Sequence, residues 1–163
     1  VENDKQIEKA SQEILTIENE YAVTDENTTS IYQSEMFSVL IDKSNRPELY
    51  PLSIVCVKLV MSNRYYKKDE MHAILNCLKE KCSKKYVLAE LSKGVFVFVL
   101  YKTTKEETIA FKKQIVAQLK DVLPQYGMKC KVGYEHAAEI KNENTARIIY
   151  QKLMDKMKNK GTD

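Results

Sequence analysis

Long apolar runs are missing from this sequence of 163 residues. None approaches the roughly 20 residues that a helix needs to span a bilayer. The opening stretch from Val1 to Gln6 is mostly polar and does not resemble a signal peptide. We therefore predict a cytoplasmic segment that makes no membrane contact itself. The possibility of a membrane segment upstream of it stays open.

Cysteine and histidine are also scarce, with 4 cysteines and 2 histidines in the whole sequence. Cys77 and Cys82 form one closely spaced pair, but no second pair follows, and the histidines lie far apart. A zinc site needs a cluster of such ligands, so we predict no metal and no other cofactor. Cys56 and Cys130 lie in apolar runs and are predicted to be buried, reduced thiols.

Positive charge is in small excess, with a net charge of +3. This excess is too small to indicate a nucleic-acid partner. Tyr65 and Tyr66 lie beside basic residues, as in single-strand stacking platforms, but the rest of the chain lacks an RNA-binding signature. We therefore predict no nucleic-acid partner.

Hydrophobic residues at 44% and charged residues at 30% suit one packed domain with an appendage.

Residues 1–23 are the predicted appendage, a helix that begins at about residue 5. Its apolar residues recur at spacings of three and four, like the a and d positions of a coiled coil. They are Ile7, Ala10, Ile14, Ile17 and Tyr21. Because the pattern covers only about two heptads, two interpretations stay open. The helix either dimerises or transmits a signal as a coiled coil, or packs as an amphipathic helix on its own domain.

Residues 24–163 are predicted to form one domain, which follows a polar break at residues 24–29. Continuous apolar runs indicate strands, and amphipathic stripes indicate helices. The predicted strands cover 52–60, 86–91, 96–101 and 128–134, and the predicted helices cover 30–41, 69–82, 104–123 and 144–158. With the leading helix, the order is α, α, β, α, β, β, α, β, α. This order indicates an α/β (α+β) sandwich, a central and mostly antiparallel sheet flanked by helices.

The middle two strands form the most informative motif, a predicted β-hairpin. Two runs rich in β-branched and aromatic residues, Tyr86–Leu91 and Phe96–Tyr101, flank a short turn that contains Gly94. This hairpin resembles the signature hairpin of GGDEF domains, the diguanylate cyclase family, whose turn reads Gly-Gly-Asp-Glu-Phe. The same five positions here read Ser92-Lys93-Gly94-Val95-Phe96. The phenylalanine and the apolar strand match, but both acidic residues are missing.

Four further segments resemble the family in the same order and at similar spacing. Asp25–Thr28 is similar to the family's opening Asp-x-Leu-Thr, and Pro51–Val57 is similar to the run into its first core strand. Lys131–Glu135 resembles a later Ser-Ile-Gly-Ile-Ala strand, and Met157–Gly161 resembles the closing Ala-Lys-x-x-Gly. The order and spacing of these short motifs, rather than any one of them, indicate a degenerate GGDEF-like domain.

The resemblance implies a chemistry whose ligands this sequence lacks. A diguanylate cyclase joins two GTP molecules with divalent cations, and such cations need carboxylate oxygens. The family supplies them from the first core strand, at positions that read Lys58 and Val60 here, and from the third and fourth signature positions. We therefore assign no catalytic residue. The vestigial cleft positions are Lys58, Val60, Ser92, Lys93, Gly94 and Val95.

Two other binding motifs of the family are also altered. The guanine-reading loop is shortened, so that Asn63 comes too early and Asp69 has no Asn nine residues before it. The product-inhibition motif Arg-x-x-Asp falls on Lys84-Lys85-Tyr86-Val87. Lysine is a poor substitute for arginine at a bidentate site, so this motif is not expected to hold a cyclic dinucleotide.

These observations lead to two functional hypotheses. The first is a catalytically inactive, regulatory or protein-interaction module of a bacterial signalling protein, which forms a homodimer or binds a partner signalling protein. The alternative is a sensor that binds a nucleotide or cyclic dinucleotide in a metal-free basic cleft. Its anion-binding residues would be Lys58, Arg64, Lys67 and Lys93. The competing interpretation of these side chains is a set of solvated surface cations.

Overall fold

A computed structural model describes residues 32–61, 67–81 and 85–163. In chain order its strands and helices are β1 Tyr32–Gln33, α1 Ser34–Lys43, a 3₁₀ helix Pro47–Leu49, β2 Leu52–Met61, α2 Lys68–Lys79, β3 Tyr86–Ser92, β4 Val95–Leu100, α3 Lys105–Val122, a 3₁₀ helix Leu123–Tyr126, β5 Met128–Ala137 and α4 Thr145–Asn159. The predicted leading helix and the polar break after it lie outside the described residues. None of the helices in the described ranges combines the length and apolarity needed to cross a bilayer.

The strands form one sheet in the order β1-β3-β4-β2-β5. The pairs β3–β4, β4–β2 and β2–β5 are antiparallel, whereas β1 runs parallel to β3. The predicted sandwich with a mostly antiparallel sheet is therefore confirmed. The strand β1 was not predicted, because two residues carry no readable periodicity, and the helix predicted from residue 30 begins instead at Ser34.

Strand β2 is buried on both faces, which explains its nearly continuous apolar sequence. Side chains of a strand alternate between the two faces of its sheet. On one face Leu52, Ile54 and Cys56 pack in a core with α1 and α4. On the other, Val55 and Val57 pack in a second core with α2 and α3.

The ends of helix α3 follow the signals in its sequence. Thr104 is the N-cap, and its side chain accepts a hydrogen bond from the N–H of Glu107 at 3.1 Å. The Glu107 carboxylate accepts in return from the N–H of Thr104 at 3.0 Å, which completes a capping box. The helix gives way to a 3₁₀ turn containing Pro124, and Gly127 then adopts the left-handed conformation with φ 66°.

A polar network crosses the otherwise apolar sheet between β2, β5 and α3. Ser53 Oγ lies 2.6 Å from His136 Nδ1 and 2.6 Å from Thr108 Oγ1, and Thr108 Oγ1 donates to the carbonyl oxygen of Thr104. Because Thr108 gives its proton to that carbonyl, it accepts from Ser53. Ser53 then accepts from His136, so the Nδ1 atom of His136 carries a proton. The buried hydroxyl groups are thereby satisfied without solvent.

Strand β5 and helix α4 approach each other closely at Gly133. A Cβ atom added there would lie 2.6 Å from the Sδ of Met157 and 3.5 Å from the Cδ1 of Leu153. Both side chains belong to the core between the sheet and α1 and α4. The absence of a side chain at Gly133 therefore allows α4 to pack against this part of the sheet.

Replacing Gly133 with alanine should destabilise the fold, because Met157 must move to admit the methyl group. We expect the free energy of unfolding to fall by about 1–3 kcal/mol, the usual cost of overpacking a core. Urea denaturation followed by circular dichroism measures this. Gly161→Ala is the matched control, since no atom lies within 4 Å of the Cβ added at Gly161. Equal stability of the two variants would contradict the close packing.

Candidate functional site

The predicted hairpin is formed by β3 and β4, with Lys93 and Gly94 as its turn. Ser92 pairs with Val95 across the turn, and the register shifts between Glu90 and Ser92, which marks a β-bulge. Gly94 has φ 81°, a conformation that residues with a side chain rarely adopt. Glycine at this position is therefore explained by the backbone of the turn.

The end of β2 lies directly beside this turn. Lys58 pairs with Val95 in the β2–β4 ladder, and the N–H of Leu59 donates to the carbonyl oxygen of Gly94 at 2.8 Å. The other neighbour of Lys58 is Lys131 of β5. The structure therefore brings the backbone of Lys58 next to the hairpin, at Val95 and Gly94.

A cavity of about 550 Å³ opens on the other side of the hairpin. It lies between the start of α1, the start of α2 and the end of β3. Its lining residues are Gln33, Ser34, Glu35, Lys67, Lys68, Met71, Glu90, Leu91, Ser92 and Lys93. We refer to this cavity as the hairpin cleft.

Charges of both signs line the hairpin cleft. Lys67, Lys68 and Lys93 provide cations, and Glu35 and Glu90 provide carboxyl groups. Burial raises the pKa of the Glu90 carboxyl, so this acid keeps its proton to a higher pH than a solvated glutamate. The N-termini of two helices also face the cleft, and their partial positive charge favours an anion.

The predicted anion-binding residues are only partly brought together. Lys67 and Lys93 line the hairpin cleft together. Lys58 is not among the lining residues, because it lies on the β2–β4 ladder rather than at the end of β3. Arg64 lies outside the described residues. Val60, another vestigial position, is half-buried in β2 opposite Lys129.

The donors at the family's metal positions do not fit a divalent cation. Such an ion needs several oxygen ligands, whereas Lys58 offers an ammonium group and Gly94 and Val95 offer no side-chain oxygen. Among the described residues, no group of three or more His, Cys, Asp or Glu side chains is placed to hold a metal ion. We therefore derive no metal-dependent step at this site.

The positions of the product-inhibition motif serve the core instead. Val87 is 8% exposed and belongs to the core with α1 and α4. The ring of Tyr86 packs edge-on against Phe111, with the centroids 5.3 Å apart. Lys84 lies outside the described residues, and the carbonyl oxygen of Lys85 accepts from the N–H of Tyr101. Val87 therefore contributes packing at the position where the family motif presents an acid, and Tyr86 contributes packing at a position that the motif leaves unspecified.

Sequence reasoning missed the carboxyl groups of the cleft and the polar network around Ser53. Glu35 and Glu90 come together only through the β1–β3 pairing, which no local pattern indicates. The Ser53–His136 pair has a nucleophile–base distance, but Ser53 is completely buried and not accessible to a substrate. Burial, and then Lys105, lower the pKa of His136 and favour its neutral form.

The two cysteines in the apolar strands behave as predicted. Cys56 and Cys130 are buried and free of disulfide bonds. Burial raises the pKa of the Cys56 thiol to about 12, which keeps it protonated and unreactive at neutral pH. Neither thiol therefore supplies a nucleophile near the hairpin cleft.

Comparison with known proteins gives a result at the level of structure only. No protein-family model matches the sequence, and no curated protein matches it. A DGC protein from Thermotoga maritima is 17% identical with a TM-score of 0.57, and the match covers 76% of this chain and 95% of that one. Diguanylate cyclase SiaD from Pseudomonas aeruginosa, solved with its activator SiaC, is 11% identical with a TM-score of 0.66. That match covers 99% of this chain and 69% of SiaD.

A third solved structure agrees with these two. The S helix-GGDEF-EAL form of Vibrio cholerae LapD, bound to c-di-GMP, is 11% identical with a TM-score of 0.53. The match covers 93% of this chain and 37% of the LapD chain. At these identities the likeness extends to the fold and not to the activity. The chain therefore has the architecture of a GGDEF-like domain, as the resemblance of its short motifs predicted.

Proposed function

We propose that this chain is a catalytically inactive GGDEF-like domain of a bacterial cytoplasmic signalling protein, where it works as a regulatory or protein-interaction module. The observation that carries the proposal is the pairing of Lys58 with Val95, next to the contact between Leu59 and Gly94. The backbone framework beside the turn is retained. The side chains on that framework lack the carboxylate oxygens that metal-dependent nucleotidyl transfer requires.

Two of the structural neighbours were solved in complexes, which supports a role in binding. SiaD was solved with its activator SiaC, and LapD was solved with c-di-GMP. A GGDEF-like fold is thus compatible with a protein partner and with a nucleotide ligand. For this chain we place a protein partner first, because the cleft contains Glu35 and Glu90 beside its lysines and these carboxyl groups oppose a polyanion.

Residues 1–23 have a separate part in the proposal, as a dimerising or signal-transmitting helix in front of a domain that spans 24–163. The support is the apolar stripe described above, whose spacing matches a coiled coil. A dimer would bring two copies of the domain together without any chemistry in the cleft.

The alternative function is binding of a nucleotide or cyclic dinucleotide without metal. It is supported by the volume of the hairpin cleft and by the convergence of Lys67, Lys68 and Lys93 with two helix N-termini. Lys58 takes no part in this version, since it does not line the cleft.

Incubation with GTP and Mg²⁺ or Mn²⁺ tests activity and binding together. We expect no cyclic dinucleotide by chromatography and no rise in melting temperature with GTP, ATP or cyclic dinucleotides. A product whose rate scales with protein concentration would overturn the inactive assignment.

A rise in melting temperature without product would instead favour the nucleotide sensor, because ligand at 100 times its Kd stabilises a fold by about 2.7 kcal/mol. Lys67→Gln with Lys93→Gln should abolish such a rise, since both lysines line the cleft. Lys152→Gln with Lys158→Gln, on the exposed surface of α4, is the control of equal charge and should leave it intact.

Light scattering with and without residues 1–23 tests the dimer. We expect the longer chain to dimerise and the shorter one to be a monomer. Replacing Ile14 and Ile17 with glutamine should weaken the dimer, because both belong to the apolar stripe. Replacing Glu13 and Glu18 with glutamine is the control. A monomer at every concentration, or equal effects of the two pairs, would rule out the coiled coil.

A further inference from the structure

The outer edge of β5 is a surface that the hairpin cleft does not involve. β5 is last in the strand order, so β2 covers one of its edges, and no strand in the described part of the chain pairs with the other. β5 has 10 residues. A strand of this length at the end of a sheet presents a row of main-chain donors and acceptors to any extended segment.

Part of this edge is already occupied by Asp163, which lies shortly after α4 in the chain. The N–H of Asp163 donates to the carbonyl oxygen of Cys130 at 2.8 Å, and the N–H of Val132 donates to Oδ2 of Asp163. Further along, the Nζ of Lys156 donates to the carbonyl oxygen of Tyr134. Cys130, Val132 and Tyr134 alternate along the strand, so their outward groups lie on the same edge.

Asp163 thus contacts the edge in the manner of one residue of an added strand. Its main chain donates to a strand carbonyl, and its carboxylate replaces the carbonyl that a true strand would offer to Val132. The Nζ of Lys160 lies 3.4 Å from Oδ1 of the same carboxylate. At this point the β5 edge therefore pairs with the main chain of Asp163, while Lys160 binds its carboxylate.

Lysines line two cavities that Asp163 also borders. Lys112, Lys113 and Lys120 of α3 line a cavity of about 390 Å³ that Asp163 also lines. Lys120 and Lys129 line a second cavity of about 260 Å³, on which Asp163 again borders. Each cavity is large enough for further side chains of a docked segment.

The lysines at this surface also act on one another electrostatically. Burial lowers the pKa of Lys112, Lys160 lowers it further, and Asp163 acts in the opposite direction. One carboxylate therefore compensates only part of the repulsion between the ammonium groups. Additional carboxylates would relieve the remainder.

We propose that the outer edge of β5 is a docking surface for an extended acidic segment of a partner protein. The segment would pair with the edge as an added strand, displace Asp163 and place its own carboxylates among Lys112, Lys120 and Lys160. The observations that carry this are the Asp163 contacts and the two lysine-lined cavities that Asp163 borders. The inference goes beyond the proposed function, because it holds whether or not the cleft binds a nucleotide.

Fluorescence anisotropy with an acetylated, amidated peptide of alternating valine and aspartate tests the surface. The control peptide has the same sequence and charge, but alternate backbone nitrogens on one edge are methylated. Strand pairing needs those N–H groups, so we expect the first peptide to bind and the methylated peptide not to bind. Equal binding of both would overturn the proposal and leave only surface charge, and so would no binding by either.

Variants of the protein show whether Asp163 competes with the peptide for the edge or only changes the charge that attracts the peptide. Asp163→Ala should raise the affinity about fivefold, the equivalent of one modest hydrogen bond removed from the occupied edge. Asp155→Ala, an exposed acid of α4, removes the same charge and should have little effect. If the two variants gain equally, Asp163 does not compete for the edge and the proposed displacement is wrong.

The lysines are tested in the same assay. Lys120→Gln with Lys160→Gln should lower the affinity about fivefold, as expected for two partly exposed charge contacts. Lys152→Gln with Lys158→Gln is the control of equal charge on the exposed side of α4. Equal losses in the two double variants would overturn the assignment of the surface. Melting curves of each variant confirm that the fold is intact.

Discussion

The burial of β2 on both faces constrains the rest of this structure. β2 pairs with β4 on one edge and with β5 on the other, and each face contributes to a separate core with two helices. A shift of register by one residue would exchange the two sets of side chains, so both cores would lose their packing together. The register therefore determines which residues can meet at the hairpin, at the polar network and at the outer edge of β5.

The same register explains how the hairpin framework is held without acidic side chains. Lys58 lies opposite Val95, and the N–H of Leu59 bonds to the carbonyl of Gly94. These contacts depend on the backbone and on the apolar residues of β2 and β4, not on acidic side chains. Gly94 is required by its positive φ, and Phe96 by its complete burial. The backbone of the turn and the packing of the core therefore account for the hairpin without reference to any chemistry at the site.

Local signals in the sequence were enough to predict most of the fold. The apolar runs of β2, β3 and β4, the Thr104 capping box and the stop at Pro124 and Gly127 each involve residues close together in the chain. Sequence reasoning failed where contacts are long-range. The strand β1 is too short for a pattern and exists because it pairs with β3, more than fifty residues away along the chain.

The candidate site was predictable only in part for the same reason. The Lys58–hairpin contact followed from the family's motif order, but the separation of Lys58 from Lys67 and Lys93 depends on the cleft being formed by α1, α2 and β3. The contact of Asp163 with Cys130 and Val132 has no sequence signal, because it is set by the path of the chain after α4. Contacts of this kind can be identified only once the assembled sheet is known.

The most direct test of the account concerns metal and nucleotide at the hairpin. Amide spectra of ¹⁵N-labelled protein would be recorded while Mn²⁺ and GTP are added together, since Mn²⁺ broadens the signals of nearby residues. The account predicts no selective broadening of Lys58, Val60, Lys93 or Gly94, because their side chains offer no carboxylate to a cation. Selective broadening centred on these residues would contradict it, since the vestigial position would then hold a metal–nucleotide complex.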